Sequence, residues 1–316
     1  MLSSSLCSTH NTTSSMSPLW RFFSAFAFVL RIVFSSNLAN TDKIKNKKKL
    51  IKLIEKYAKN KKIMEAGFFA ILNFNELKGK KYQEKEIKTE RQMLEFFYYT
   101  NRLRFLIGQS ISWPNPKDLI GRVTFALEPE KLINSFLLMN NSLQKLVVEN
   151  DCEIRFNTYE DQEQIAKIKV DAWHETYKNI IDKDYLDTLT YESETTKYQA
   201  SFDEYKELVL VLENKNTKEI LGYSCIKLDK TNYSDCELLS IYVKPGYKGL
   251  GVGTKLFNAS MERLRELGKK NMILWCIKDN NQSLEFYKRL GGTYLKDKQA
   301  KIGDKEYKEI GFIYKL

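Results

Sequence analysis

Cys236-Glu237-Leu238-Leu239-Ser240-Ile241-Tyr242-Val243-Lys244-Pro245-Gly246-Tyr247-Lys248-Gly249-Leu250-Gly251-Val252-Gly253-Thr254-Lys255-Leu256-Phe257 is the stretch on which the fold turns. An apolar, β-branched run reads as a strand, a glycine-rich turn follows, and Leu256, Phe257, Met261, Leu264 and Leu267 then repeat at helical spacing up to Gly268, a natural C-terminal cap. A strand that runs into a glycine-rich turn and opens a helix is a place where anions bind. Residues without side chains let backbone N–H groups approach the anion, and the positive end of the helix dipole adds to the attraction. The expected ligand group is a phosphate or pyrophosphate. Taken alone the Gly-x-Gly-x-Gly spacing is equally that of a tight strand–helix turn. It is not the spacing of a dinucleotide fingerprint, and without Gly-Lys-Ser/Thr it is not a nucleotide-hydrolysing P-loop.

Outward from this stretch, residues 151–316 alternate short strands with longer helical segments, as α/β domains do. Strands are expected near Glu153–Phe156, Leu208–Glu213, Glu219–Asp229, Glu237–Val243, Met272–Ile277, Gly292–Lys298 and Lys308–Tyr314. Helices are expected near Gln162–Tyr177, Lys183–Leu189, Gly251–Leu267 and Gln282–Leu290, with Asn214-Lys215-Asn216-Thr217 as a hairpin turn.

The first half differs in kind. Residues 1–150 hold 24 Lys and Arg against 12 Asp and Glu, while residues 151–316 hold 27 against 28, so the net charge of +11 arises entirely from the first half. Residues 1–40 contain no acidic residue, are rich in Ser and Thr, and carry Arg21 and Arg31 around an apolar run, a composition in part like that of an organellar targeting segment. A membrane span needs about 20 apolar residues, and any such window here includes Arg31, at roughly 2.5–3.5 kcal/mol near the bilayer centre. Residues 41–150 form a basic region expected to be helical, with Leu50, Leu53, Ile54 and Tyr57 at i, i+3, i+4, i+7 spacing, a break at Trp113-Pro114-Asn115-Pro116, and an apolar helix between Leu132 and Val148. Lysine strings such as Lys47-Lys48-Lys49 read first as a solvated face; contact with nucleic acid or an anionic membrane is the sharper alternative.

Five scattered cysteines without C-x-x-C, and only two histidines, argue for a cytoplasmic protein with neither a disulfide framework nor a metal centre.

Two ordered motifs carry a family resemblance. Lys248-Gly249-Leu250-Gly251-Val252-Gly253 resembles the Arg/Gln-x-x-Gly-x-Gly/Ala motif by which GNAT-superfamily N-acetyltransferases hold acetyl-CoA, with lysine supplying the charge but not the planar fork of arginine. Asn280-Asn281-Gln282-Ser283-Leu284-Glu285-Phe286-Tyr287, continuing to Gly291-Gly292, resembles the family's Asn-x-x-Ala-x-x-Phe-Tyr-x-x-x-Gly-Phe. The resemblance extends back through Ala172–Tyr177, covers about half the chain, and leaves residues 1–150 outside. It implies a mixed, centrally splayed β-sheet flanked by helices, preceded by a helical or poorly ordered extension.

The same resemblance implies acetyl-CoA as cosubstrate and an amine of a small molecule, protein N-terminus or lysine as acceptor; a homodimer is the candidate assembly. Ile241, Tyr242 and Val243 would meet the pantetheine arm, to which Asn280 would hydrogen-bond; Lys248, Gly249, Leu250, Gly251, Val252, Gly253 and Thr254 would meet the pyrophosphate, and Ser283 the cofactor as well. Glu237 would take the proton of the attacking ammonium, and Tyr287 would donate to the departing thiolate. An amine of pKa about 10.4 is almost wholly protonated at neutral pH, so a base has a definite task. Trp173 and Tyr177, four apart on one helical face, resemble the family's acceptor-side wall, although such a pair is more often core. Transfer would be direct, since no cysteine stands where a nucleophile would be needed. A non-catalytic acyl-CoA-binding module is the rival reading of the same motifs.

Overall fold

The computed structural model describes residues 65–66, 69–104, 106–107, 117–124, 129–202 and 207–316. The targeting-like segment 1–40, the amphipathic stretch at Leu50–Tyr57 and the proline break at Trp113–Pro116 lie outside them. The fold divides between Leu143 and Gln144 into two compact units.

In the first unit β1 (Glu65–Ala66), β2 (Phe69–Asn73), β6 (Ile120–Thr124) and β5 (Leu106–Ile107) form an antiparallel sheet in the order β1-β2-β6-β5, and β3 (Lys81–Tyr82) with β4 (Lys85–Glu86) forms a hairpin. Beside two helices, the described residues of 41–150 hold strands that are too short and too irregularly spaced to show a period in the sequence. The hairpin turns through Gln83 and Glu84, both at positive φ, without the glycine that would announce it. Helix α1 (Glu90–Asn101) starts at a capping box between Thr89 and Gln92, and buries Met93, Phe96 and Phe97. Helix α2 (Pro129–Asn150) contains the expected apolar run, and its last residues from Gln144 belong to the second unit.

The second unit is built on β7 (Cys152–Phe156), β8 (Glu207–Asn214), β9 (Ile220–Lys227), β10 (Glu237–Val243), β11 (Asn271–Ile277), β12 (Thr293–Ile302) and β13 (Lys305–Lys315). They form one mixed sheet in the order β12-β13-β11-β10-β9-β8-β7. Every neighbouring pair is antiparallel except β10–β11. The helices are α3 (Gln162–Tyr177), α4 (Lys183–Thr188), α5 (Tyr191–Ser201), α6 (Val252–Glu266) and α7 (Asn281–Arg289).

Two cores lie on opposite faces of this sheet. On one face Val148, Val252, Leu256, Phe257, Leu264 and Leu284 pack with Leu212, Leu238 and Leu274. On the other, Ile165 and Ile168 of α3 pack with Val211, Ile220 and Tyr223. Strand β10 and helix α6 both crowd β9 at Gly222, where a Cβ would stand 2.8 Å from the Tyr242 carbonyl oxygen and 2.9 Å from Val252 Cγ1, so only glycine fits there.

Helix α5 was not foreseen. Its sequence, Tyr191-Glu192-Ser193-Glu194-Thr195-Thr196-Lys197-Tyr198-Gln199-Ala200-Ser201, has no apolar stripe. A capping box between Thr190 and Ser193 starts it, and Glu194, 1% exposed, anchors it through Lys169 at 2.6 Å and Lys197 at 2.7 Å.

Candidate functional site

The parallel pair that defines this sheet barely exists. Strands β10 and β11 are in register only at Glu237–Ile273 and Leu238–Leu274; beyond Leu238 they part. On the opposite edge of β10 the ladder with β9 passes directly from Leu238 to Ser240, leaving Leu239 as a bulge. Backbone groups of β10 beyond the split therefore lack a neighbour on the β11 side. A cleft of about 480 Å³ opens there, lined among others by Leu239, Ile241, Tyr242, Val243, Trp275 and Cys276 from the two strands.

Its far wall is the glycine turn. Gly249 and Gly251 stand at φ +76° and +90°, and an added Cβ at either would meet no atom within 4 Å, so the space above them is open. Gly251 is the left-handed N-cap of α6, whose first helical bond runs from Lys255 N–H to the Gly251 carbonyl at 2.9 Å. The N–H groups of Val252, Gly253 and Thr254 thus have no intrahelical acceptor, and this is the donor set a pyrophosphate needs. Gly253 keeps Phe286 close, 3.3 Å from where its Cβ would be.

Helix α7 forms the third wall through Asn280, Gln282, Ser283, Phe286, Tyr287 and Arg289. Asn280 is buried, and its Oδ1 accepts the Ser283 N–H at 3.1 Å, so the residue expected to hold the pantetheine arm also caps the helix. Tyr287 is half-buried between Phe286 and Phe312, and burial drives its phenol well above the ordinary tyrosine range. Among the described residues its hydroxyl has no hydrogen-bond partner. Tyr177 also lines the cleft; burial pushes its phenol up to about 12, with the Asn280 amide acting the other way.

Of the sequence-selected residues, Ile241, Tyr242, Val243, Lys248, Gly249, Gly251, Gly253, Thr254, Asn280, Ser283, Tyr287 and Tyr177 line this cleft. Leu250 and Val252 do not: both side chains are buried in the core, leaving only their backbone to face a ligand. Trp173 is also off the wall. Its Nε1–H donates to the Tyr242 hydroxyl at 2.8 Å while its ring packs 4.9 Å from Tyr177, so it supports the cleft from behind.

Glu237 sits at the closed end of the split, one residue before the strands part, and is not itself on the wall. Burial raises its carboxyl above the usual range, with Lys298 and Lys227 pulling it down and Glu309 adding to the rise. Lys248 departs from expectation in its partners: its ammonium lies 2.8 Å from the Glu175 carboxylate and donates to Thr176 Oγ1 at 3.1 Å, tying the turn to α3. Residues missed in the sequence were Lys145, Trp275 and Leu239, which come to the cleft through the tertiary fold and carry no motif. Among the described residues no group of three His, Cys, Asp or Glu side chains is placed to hold a metal ion, and no helix is long and apolar enough to cross a membrane.

Residues 171–292 match the family model described as Acetyltransferase (GNAT) family. The chain is 29% identical over 161 residues, half of its own length and 90% of the relative's, to the uncharacterized N-acetyltransferase YuaI of Bacillus subtilis (strain 168). Over 55 residues, 24% of that relative, it is 40% identical to the uncharacterized N-acetyltransferase MJ1207 of Methanocaldococcus jannaschii. Among solved structures it is similar to the paia N-acetyltransferase of Thermoplasma acidophilum in complex with coenzyme A, at 20% identity over 52% of this chain and 99% of that one, with a TM-score of 0.41. The C-terminal half of the chain therefore carries an acetyltransferase domain of the GNAT family.

Proposed function

We propose that the domain moves an acetyl group from acetyl-CoA to an amine by direct transfer within a ternary complex. The observation that carries this reading is the split between β10 and β11, which opens onto a cleft whose far wall offers the unpaired N–H groups of the α6 N-terminus. A pyrophosphate over Gly249–Gly253 and an extended pantetheine arm beside the open edge of β10 fit the donors on each wall, and lead the thioester toward Tyr287.

The chemistry follows from the groups there. A neutral amine nitrogen attacks the thioester carbonyl carbon, the C–N bond forms, and the C–S bond breaks. Glu237 takes the ammonium proton; since it lies outside the wall, the proton reaches it through a water. A carboxyl raised by burial is a better base near neutral pH than an ordinary one, because it is nearer in pKa to the proton it accepts. Tyr287, kept fully protonated by burial and with an unengaged hydroxyl, gives its proton to the thiolate; the second proton, shed by the attacking nitrogen as the amide forms, passes to solvent, which reprotonates the phenolate. Acceptor chemistry remains broad: an amine of a small molecule, a protein N-terminus or a lysine.

The test is turnover of the full chain with acetyl-CoA against a panel of amines, read as free thiol. Amine-dependent thiol release supports the reading. Coenzyme A binding without release from any amine in a broad panel would favour a non-catalytic acyl-CoA-binding module, and absence of binding would remove the cofactor assignment.

A further inference from the structure

We propose that Lys145, near the end of α2 and outside the segment matched by the family, binds a phosphate group at the nucleotide end of the coenzyme. This rests on the reading that the cleft holds coenzyme A.

The coenzyme brings a pyrophosphate and a 3′-phosphate monoester, the latter alone carrying about 1.5 to 2 negative charges at neutral pH. The N–H groups of α6 can meet only part of this. The cations of the turn itself are already occupied: Lys244 donates to Glu219 at 2.5 Å, and Lys248 is held by Glu175 and Thr176. Two further cations line the cleft, Lys145 and Arg289, and among the described residues neither pairs with a carboxylate nor donates a hydrogen bond. Arg289 is exposed on α7, whereas Lys145 is half-buried.

A half-buried lysine on the wall of a cleft, with no carboxylate beside it among the described residues, is placed to pair with an anion that enters. The position of Lys145 is also fixed. It lies one turn before Val148 on the same helical face, and Val148 is fully buried in the core that contains Val252 and Leu256 of α6. The end of α2 and the start of α6 thus share one packed core, and the lysine comes to the cleft wall from that helix. Sequence comparison with the family would pass over it, because the match begins only at residue 171.

The experiment is calorimetric titration of the full chain with coenzyme A and with dephospho-coenzyme A, which lacks the 3′-phosphate. The variants are Lys145→Ala, Lys145→Arg, and Lys301→Ala as a control at an exposed lysine on β12. Lys145→Ala should weaken coenzyme A about fivefold to tenfold, as loss of one partly solvated hydrogen bond does, while Lys145→Arg stays within about twofold. The KM for acetyl-CoA should rise by the same factor in Lys145→Ala and stay near the parent's in Lys301→Ala. If the loss vanishes with dephospho-coenzyme A, the contact is the 3′-phosphate; if it persists, the pyrophosphate; either outcome supports the proposal. Equal affinity of Lys145→Ala and the parent would overturn it, as would an equal loss in Lys301→Ala. A parent chain that binds no coenzyme A would instead overturn the assignment of the cleft.

Discussion

Gly251 separates two effects that usually come together, strain and charge. At φ +90° it occupies a conformation that costs an L-residue about 1–2 kcal/mol, yet an added Cβ would touch nothing. Gly251→Ala therefore lowers stability by that amount alone, a fall in Tm of roughly 2–8 °C for a domain of this size. Gly251→Asn, whose side chain tolerates the left-handed region, should cost less. Gly251→Asp has a compensation of its own: a carboxylate at a helix N-terminus gains about 0.3–1 kcal/mol from the dipole, so the free protein should be no less stable than with alanine.

Binding reverses the order. The new carboxylate would compete for the same N–H groups as the pyrophosphate and stand some 5 Å from it, where one pair of like charges costs about 3 kcal/mol at an effective dielectric of 20. That is more than a hundredfold in affinity. Calorimetric titration with coenzyme A, with Tm measured alongside, should show asparagine weakening binding modestly and aspartate abolishing it in a protein that melts near the alanine variant. A folded Gly251→Asp protein that binds coenzyme A within twofold of the parent would refute the placement of the pyrophosphate at this helix end.

Three further outcomes are expected. Glu237→Gln should keep coenzyme A affinity and lose roughly 10²–10⁴-fold in rate, part of it regained at high pH where the acceptor is already neutral; an unchanged pH–rate profile would remove the base. Its stability has a definite sign as well. Burial raises the folded-state pKa above the unfolded one, so stability falls as pH rises from the ordinary carboxylate range through that raised value. Glutamine should then equal or exceed the parent in Tm at neutral pH and lose that advantage in acid. Tyr287→Phe keeps the ring packed on Phe312 and should lose about 10²-fold in turnover without a shift of the alkaline limb below pH 9; turnover equal to the parent would place the proton donor elsewhere. Val148→Ala should cost about 2 kcal/mol in denaturant unfolding, and a fragment starting at Gln144 should be more stable than one starting at Asp151, which lacks that residue; equal midpoints would detach α2 from the core.

What could be read in the sequence was what leaves a local mark. Strand β10 and helix α6 were placed at Glu237–Val243 and Gly251–Leu267, against an observed Glu237–Val243 and Val252–Glu266, because an apolar run, glycines and an apolar stripe sit next to one another. Helix α5 left no such mark, since its anchor is the Glu194 carboxylate paired across 25 positions with Lys169. The β12–β13 hairpin runs to Ile302 and back from Lys305, several residues past the expected ends, because its outer part alternates exposed charges such as Lys301 and Glu306.

The cleft follows the same division. Contacts made by backbone are visible in a sequence as the absence of side chains, which is why Gly249, Gly251 and Gly253 announced the open turn proposed to hold the pyrophosphate. A base or an acceptor wall is made by side chains brought together from distant strands, and single residues such as Glu237 or Trp275 look like any strand residue. Resemblance supplied the first of these and not the second. The split in the sheet explains the difference physically: β10 needs only its own strand to expose its edge, but needs β11, α3 and α7 together to decide which amine can reach it. The glycine turn is therefore fixed by one continuous segment and the rest of the cleft by the packing of several, so substitutions at Trp275 on β11 should alter acceptor choice more than coenzyme A affinity.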